Sequence, residues 1–380
     1  MSTVSTAGAV RFRAERDVLA DGVAWAARTL PSRPPVPVLA GLVLQAESDS
    51  LILSSFDYEV STRVVVAADV QTPGTVVVPG RLLSDICRAL PNAPVEVQLD
   101  GTRVRISCGR SSFAVPTMPA EDYPQLPTMP QQVGAVPGDV FSGAITQVAI
   151  AAGKDDTLPM LTGMRMEIEG TQVTLAATDR YRLAMREFTW EPLSKGLTAA
   201  VLIPARTMAD LAKALGADTA VHVALAEGGT GEGMIGFESA GRRTTTRLLD
   251  GEFPKYRGLL PSDASCIATV ATAELIEAVR RVALVADRNA PIHLAFTNAE
   301  VTLRAGAGDE ANATETLGCV VDGDGLEIAF NPAFLLDGLS AVGEASTNFR
   351  FTESNKPAVL EGVESGSTYR YLLMPIRLTG

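Results

Sequence analysis

Histidine is nearly absent from this chain: of 380 residues, only His222 and His293 are histidine. Each sits in an alternating apolar run, Val221-His222-Val223-Ala224-Leu225 and Ile292-His293-Leu294-Ala295-Phe296, far from the other in sequence. Acid–base chemistry near neutral pH draws on imidazole more than on any other side chain and needs partners at hydrogen-bond distance, so no histidine-dependent active site is expected. The four cysteines, Cys87, Cys108, Cys266 and Cys319, are scattered and form no C-x-x-C pair. That spacing argues against zinc ligation and a disulfide framework and predicts buried, reduced thiols. No apolar run approaches the roughly 20 residues of a membrane span. Met1 to Val10 lacks the basic start and apolar core of a secretory signal, so a cytoplasmic protein without a membrane partner is expected. The signatures G-x-S-x-G, H-E-x-x-H and the P-loop are missing. One formal G-x-G-x-x-G, Gly231 to Gly236, lies between two strand patterns with no helix behind it to offer N–H groups to a phosphate, and reads as a hairpin loop. Gly306 to Glu310 reads the same way. Neither a metal, a cofactor nor a catalytic residue is expected.

What the chain does contain is one unit three times over. Asp17-Val18-Leu19 opens a helical stretch leading to Pro37-Val38-Leu39-Ala40-Gly41-Leu42, and 122 residues later Asp139-Val140-Phe141 opens another leading to Pro159-Met160-Leu161-Thr162-Gly163-Met164. Leu51 to Asp57 is echoed at the same offset by Val173 to Asp179, and Val301-Thr302-Leu303-Arg304 begins a third version. Val78-Pro79-Gly80, Ile203-Pro204-Ala205 and Asn331-Pro332-Ala333 each place a proline near the start of a later helix, where its missing N–H costs nothing. In each copy the periodicity predicts a first helix (Ala14 to Leu30, Val140 to Ala152, Thr272 to Ala286) and a second (Arg81 to Leu90, Arg206 to Leu215, Ala333 to Val342). Strand patterns lie between and after them, such as Leu42 to Ala46, Leu51 to Ser54, Val60 to Ala67, and Val95 to Leu99 with Arg103 to Ser107 around Asp100-Gly101.

The fold class is therefore α+β, two helices packed on antiparallel sheet in each unit. Proline-rich stretches, 116–130 and 253–262, divide the chain into expected domains 1–128, 129–262 and 263–380, each large enough for its own core. Tandem copies can cover exposed strand edges by pairing them. Three equal rotations give an arc whose complementary ends close head to tail with a second copy into a ring.

The net charge of −12 weighs against a polyanionic partner. Yet Arg28, Arg33, Arg81, Arg88, Arg206, Lys213, Arg280, Arg281 and Arg288 fall in or just after expected helices. They read either as ordinary solvated positions or as a basic face on an acidic protein. Two segments stand apart from plain strands. Ala176 to Ala184 places two arginines and a tyrosine behind Thr178-Asp179, and Tyr371 to Leu378 is apolar almost to the terminus. They read either as a twisted edge strand and a final sheet strand, or as walls of an apolar groove with an arginine rim, suited to a short linear peptide.

With these residues in view, the chain closely resembles the bacterial DNA polymerase III β subunits, the sliding clamps. The likeness rests on the three-copy plan, Thr178-Asp179 through Arg182-Leu183-Ala184, Phe253-Pro254-Lys255-Tyr256 before Leu259-Leu260-Pro261, Phe330-Asn331-Pro332, and Met374-Pro375-Ile376-Arg377-Leu378. The wording of Asp156 to Gly163 is similar to actinobacterial members. The resemblance implies a head-to-tail homodimeric ring of clamp-fold domains that encircles duplex DNA without sequence readout and confers processivity on a polymerase. Implied partners are the replicative polymerase α subunit, the clamp loader complex, and other polymerases, ligase and mismatch-repair proteins carrying clamp-binding peptides.

It also implies a peptide-binding pocket of Leu161, Thr178, Tyr181, Arg182, Leu183, Pro254, Leu259, Asn331, Phe334, Met374, Pro375, Ile376 and Arg377. Arg33, Lys154 and Arg288 would face DNA, and Phe113 and Val115 would meet Leu284 and Val285 of a second copy. Arg180-Tyr181 stands where the family commonly has Gly-His, and Gly258 where a basic residue is frequent. Two alternatives remain: a second clamp copy protecting against a clamp-binding antibiotic, and a nucleic-acid-processing enzyme.

Overall fold

Helices form in this chain where apolar side chains recur every three to four residues and something outside the helix satisfies its ends. The computed structural model describes residues 10–216, 218–226, 233–261, 263–286, 290–306, 311–364 and 368–376. Among them are six α-helices: α1 Arg16–Ala26, α2 Gly80–Ala89, α3 Gly138–Ala149, α4 Ala205–Ala212, α5 Thr272–Val282 and α6 Pro332–Val342. In α1 the buried face is Leu19, Val23 and Ala26, and Asp17 complements the dipole in the first turn. The helix expected to reach Leu30 stops at Ala26 because that carbonyl accepts from the hydroxyls of Ser55 (2.8 Å) and Thr62 (3.2 Å), and the chain tightens into a 3-10 turn, Ala27–Thr29. Helix α3 begins two residues before the expected Val140. Gly138 lies so close to the carbonyls of Gly216 and Thr219 that a Cβ there would stand 2.4–2.5 Å from them. Helices α4 and α5 end earlier than expected, at Ala212 and Val282, and α5 runs on into a 3-10 turn, Ala283–Val285.

The chain divides into two compact units, residues 1–138 with 213–248, and 139–212 with 249–380. In the first unit α1 and α2 pack together, with α1 also on Ser50–Phe56 and Val60–Ala67. One five-stranded sheet runs in the order Asp69–Thr72, Arg11–Ala14, Val95–Asp100, Arg103–Cys108, Ser111–Pro116. In a second sheet, Gln132–Pro137, Ala220–Leu225, Met234–Ser239, Arg242–Arg247, Val60–Ala67, Ser50–Phe56, Gly41–Glu47 and Gly74–Pro79 are neighbours in turn. The core between helices and strands holds Phe12, Leu19, Val23, Leu42, Leu53, Val97 and Ile106, each at most 2% exposed.

The second unit carries a twelve-stranded sheet. Its order is Thr198–Pro204, Gly163–Glu169, Gln172–Thr178, Arg182–Thr189, Tyr369–Leu373, Ala358–Gly362, Ser346–Phe351, Cys266–Ala271, Ala313–Gly323, Glu300–Ala305, Ile292–Phe296 and Glu327–Phe330. Helices α5 and α6 pack on each other, and α6 covers Ala358–Gly362 and Tyr369–Leu373. Asn331 caps α6 by accepting from the N–H groups of Ala333 and Phe334, Pro332 occupies its first turn, and Gly343 ends it at φ 72°.

Two junction pairings give the sheets their continuity. Arg242–Arg247 lies antiparallel on Val60–Ala67 with Thr244 opposite Thr62, and Tyr369–Leu373 lies on Arg182–Thr189 with Tyr371 opposite Ala184. The segment read as a possible edge strand, Ala176 to Ala184, is therefore interior: Arg182–Thr189 is hydrogen-bonded on both sides. Tyr371 lies in the last strand in chain order among the described residues, Tyr369–Leu373, which is paired on both sides and stops before Met374.

Both histidines lie in strands as expected. Of the segment read as a hairpin loop, Met234, Ile235 and Gly236 belong to the strand Met234–Ser239, which pairs antiparallel with Ala220–Leu225, while Gly231 and Glu232, like 307–310, lie outside the described residues. All four cysteines are free; three are buried, while Cys319 is only half-buried. Burial, and then the neighbouring Cys108, pushes the Cys87 thiol up to about 12, which keeps it unreactive.

At Gly338 in α6 an added Cβ would stand 2.4 Å from the ring of the fully buried Tyr371. Gly338→Ala is expected to destabilise the second unit by about 1–3 kcal/mol through overpacking, read as a lower midpoint for that unit in chemical denaturation.

Candidate functional site

A four-residue turn, Asp179 to Arg182, organises the site. The Asp179 carboxylate accepts from the N–H groups of Tyr181 (3.0 Å) and Arg182 (3.1 Å), and the Asp179 N–H donates to the Arg182 carbonyl (3.3 Å). Arg180, at the apex, is held at φ 80°, a conformation that costs a residue with a Cβ about 1 kcal/mol. The strain explains why a glycine suits this position.

Beneath the turn, Arg182 is 6% exposed. Its Nε donates to Asp179 (3.0 Å), its Nη1 to Asp337 in α6 (2.5 Å), and its guanidinium carbon lies 4.3 Å from the centre of the Phe334 ring. Tyr181 stacks on Phe334 with centroids 6.3 Å apart, and the Tyr371 hydroxyl donates to the Phe334 carbonyl (2.8 Å). Burial works to lower the Arg182 pKa, but interaction with Tyr371, the hydrogen bonds to Asp337 and Tyr371, and the Asp179 charge outweigh it, so the net shift is upward. Arg182 is a permanent buried cation.

Some of the other expected pocket residues are tied to this assembly or to its strand. The Met374 N–H donates to the Tyr181 carbonyl (2.9 Å), and the Ile376 N–H to the Ala329 carbonyl (2.8 Å), so the chain end is stitched to the turn and to the strand before α6. Leu183 joins Ala176, Met185, Leu202, Phe253, Tyr256, Val359 and Leu372 in one apolar cluster. Met160, Phe253 and Leu260, the sequence neighbours of Leu161, Pro254 and Leu259, pack in or against it. Leu161, Thr178, Arg182 and Leu183 are buried, whereas Tyr181, Leu259 and Met374 are 57%, 54% and 40% exposed. Pro254 is also exposed, and Asn331, Phe334, Pro375 and Ile376 are half-buried. Buried polar and apolar floor with exposed apolar walls is the arrangement an incoming apolar side chain requires. Arg377 lies outside the described residues. Asp337 and Tyr371 were missed as site residues. The sequence signal for Asp337 was its place three residues after Phe334, on the same helical face.

The first copy contains the same turn. Asp57 accepts from the N–H groups of Glu59 (2.9 Å) and Val60 (2.7 Å), its own N–H donates to Val60 (3.2 Å), Tyr58 is held at φ 77°, and the Arg247 N–H donates to Glu59 (3.0 Å). There, however, Val60 stands at the position of Arg182 and Phe56 at that of Thr178.

Arg33 and Lys154, expected to face DNA, are exposed and have no ion-pair partner among the described residues. Arg288 lies outside them. Other helix cations are already engaged: Arg81 donates to the Leu30 carbonyl (3.2 Å), Arg280 to Glu277 (2.7 Å) and Arg281 to Glu315 (2.5 and 3.0 Å). Of the expected seam residues, Phe113 (37%) and Leu284 (83%) are exposed and Val285 is half-buried. Val115 is a correction. At 2% exposure it belongs to the core of the first unit, where it pairs opposite the buried Val104, so its side chain is not free to meet a partner.

The linker that carries Pro254 and Leu259 is pinned to the sheet by one carboxylate. Glu167 accepts from the Tyr256 hydroxyl (3.0 Å), Arg257 (2.7 Å) and Arg165 (2.6 Å). Burial works to raise its pKa, but these three hydrogen bonds prevail and hold the carboxyl below its usual range. Among the described residues no group of three His, Cys, Asp or Glu is placed to hold a metal, and no helix is long and apolar enough to cross a membrane. An open depression of about 720 Å³, lined by residues 295–300 and 325–327, shares none of the pocket residues.

Comparison with known proteins agrees along the whole chain. Residues 10–127, 135–255 and 257–377 match the N-terminal, central and C-terminal domains of the DNA polymerase III beta subunit. The chain is 56% identical to the beta sliding clamp of Streptomyces coelicolor, over 98% of this chain and 100% of that one. It is 44% identical to the beta sliding clamp homolog GriR of Streptomyces muensis, over 97% and 99%. The crystal structure of the sliding clamp of Pseudomonas aeruginosa bound to griselimycin superposes with a TM-score of 0.90 at 27% identity, covering 98% of this chain and 100% of that one.

Because the Glu167 pKa is depressed in the folded state, its stabilising effect is complete above the ordinary glutamate value of about 4.3 and is lost as pH falls through the folded value. Glu167→Gln is expected to cost on the order of 1 kcal/mol at neutral pH, discounted because Arg257 is half-exposed. The gap between variant and parent narrows as pH falls below the ordinary glutamate range and through the depressed folded value, in acid-titrated denaturation curves.

Proposed function

This chain belongs to the DNA polymerase III beta subunit family, the bacterial sliding clamps, and from that premise we infer that two copies close head to tail around duplex DNA. We further propose that the pocket at Arg182, Phe334 and Met374 receives apolar peptides of the proteins it tethers. The protein is a non-catalytic processivity factor: it holds a polymerase on its template and has no reaction of its own. The replicative polymerase α subunit, the clamp loader, other polymerases, ligase and mismatch-repair proteins are its proposed partners, in the cytoplasm at the nucleoid. The 56% identity to the Streptomyces coelicolor clamp over nearly the whole chain supports this replicative reading.

One observation carries the ring. In two places the last strand of a copy completes the sheet of the copy before it, Arg242–Arg247 on Val60–Ala67 and Tyr369–Leu373 on Arg182–Thr189. Among the described residues the remaining last strand, Ser111–Pro116, is paired on one side only, to Arg103–Cys108. The remaining acceptor, the first half of Ala313–Gly323, is paired among the described residues only to Glu300–Ala305. A second copy satisfies both edges. Carrying the register of the intact junctions onto them sets Phe113 opposite Ala313 across the seam. Encirclement needs no base contact, so a net charge of −12 is compatible with a few exposed cations such as Arg33 and Lys154 lining the passage.

Each peptide anchor buried on Tyr181, Phe334, Leu259 and Met374 contributes about 1.5–3 kcal/mol, which suits partners that must exchange. Two measurements test these readings. Phe113→Arg with Leu284→Arg is expected to shift a micromolar dimer toward monomer in light scattering; a parent protein already monomeric there would overturn the ring. Met374→Ala with Pro375→Ala is expected to weaken a polymerase-tail peptide about tenfold in calorimetry while the dimer persists; unchanged affinity would overturn the pocket.

A further inference from the structure

Asp337 is absent from the apolar pocket wall, yet it holds the wall in place. Its carboxylate meets Arg182 at 2.5 Å, and the same guanidinium lies 4.3 Å from the Phe334 ring, which Tyr181 stacks against. The fold itself does not ask for this cation. In the first copy the same turn, with the same Asp cap, the same left-handed residue and the same strand contact, closes over Val60. Removing a guanidinium from water is costly, and replacing a buried ion pair by apolar side chains is often neutral or stabilising. Helix α6 needs no help from Asp337 either, being capped by Asn331 and ended at Gly343. A buried charge that an equivalent turn does without, resting on an aromatic ring at the rim of a groove, is held for what that ring does.

We propose that Asp337 is a positioning residue of the peptide pocket. It clamps Arg182 flat against Phe334, and so fixes the Phe334–Tyr181 wall at the spacing an entering apolar anchor requires. Asp179 grips the other side of the same guanidinium at 3.0 Å, so Arg182 is oriented from the turn and from α6 together. Asp337 itself touches no peptide; its effect passes through Arg182 and the ring. The inference rests on the pocket reading above and names the residue that shapes it.

The test measures fluorescence-anisotropy binding of a labelled synthetic peptide with leucine and phenylalanine anchors to the full-length dimer. Asp337→Asn keeps the side-chain shape on a half-exposed helical position but loses the charge, and is expected to weaken binding about tenfold with the dimer retained and the denaturation midpoint lowered only slightly, since Asp179 still pairs with Arg182. Asp337→Glu, which restores the carboxylate, is expected to recover most of that loss. In a Phe334→Leu background, where the ring is gone, Asp337→Asn should have less than about a twofold further effect, because the two residues act as a unit. Parent-like affinity in Asp337→Asn, or a full tenfold loss on top of Phe334→Leu, would overturn the proposal while leaving the pocket standing. Failure of the parent dimer to bind the peptide at all would remove the pocket reading and this inference with it.

Discussion

Every strand at the margin of a sheet leaves a row of N–H and C=O groups that must find partners, and this chain meets that demand by lending its strands. The last strand of one copy becomes the missing margin of another, with Thr244 opposite Thr62 in one place and Tyr371 opposite Ala184 in the other. Helix packing, the placement of the Asp179 turn and the gathering of the C-terminal residues at that turn follow from these two pairings. Met374 reaches Tyr181 only because Tyr369–Leu373 has already been laid along Arg182–Thr189. The clamp's architecture and its partner pocket are products of the same hydrogen-bond ladder.

Repetition also explains why one turn becomes a site and its twin does not. Asp57 and Asp179 build the same turn by the same three hydrogen bonds. Around Asp57 the neighbouring positions are Phe56 and Val60, which fill space. Around Asp179 they are Thr178 and Arg182, which bring a hydroxyl bonded to the Arg182 carbonyl and a cation bonded across to α6. Polar groups buried within reach of exposed aromatic and thioether surface define a shape that apolar filler alone leaves soft. Duplication supplied the backbone, and a handful of side chains turned one instance of it toward recognition.

Much of this was legible from the residues. The α+β class, the three copies, Val60–Ala67 with its limits, and the strand setting of both histidines all follow from periodicity and from an offset of 122 residues. Helix ends were less legible, because the groups that decide them are remote: the Ala26 carbonyl is claimed by Ser55 and Thr62, and Gly138 is pressed against Gly216 and Thr219. The pocket segments were visible as an arginine-tyrosine turn and an apolar terminus, but their meeting depends on pairing across 189 residues, which no local pattern encodes. Asp337 escaped notice for the same reason: its partner is 155 positions away. Val115 was misplaced because it shares a face of Ser111–Pro116 with Phe113, and only the folded sheet shows that the core covers Val115 while Phe113 stays partly exposed.

The burial of Val115, with Phe113 two residues away on the same face left partly exposed, bears on how the proposed ring comes apart. The Val115 side chain is anchored in its own unit's interior whether or not a second copy is present. Parting the seam therefore unzips a short ladder and wets a few surface side chains, while the hydrophobic interior behind it stays dry. Such a hinge line wears no faster for being used: a loading machine can prise it open and let it snap shut through many cycles, without the subunit ever passing through a partly molten form.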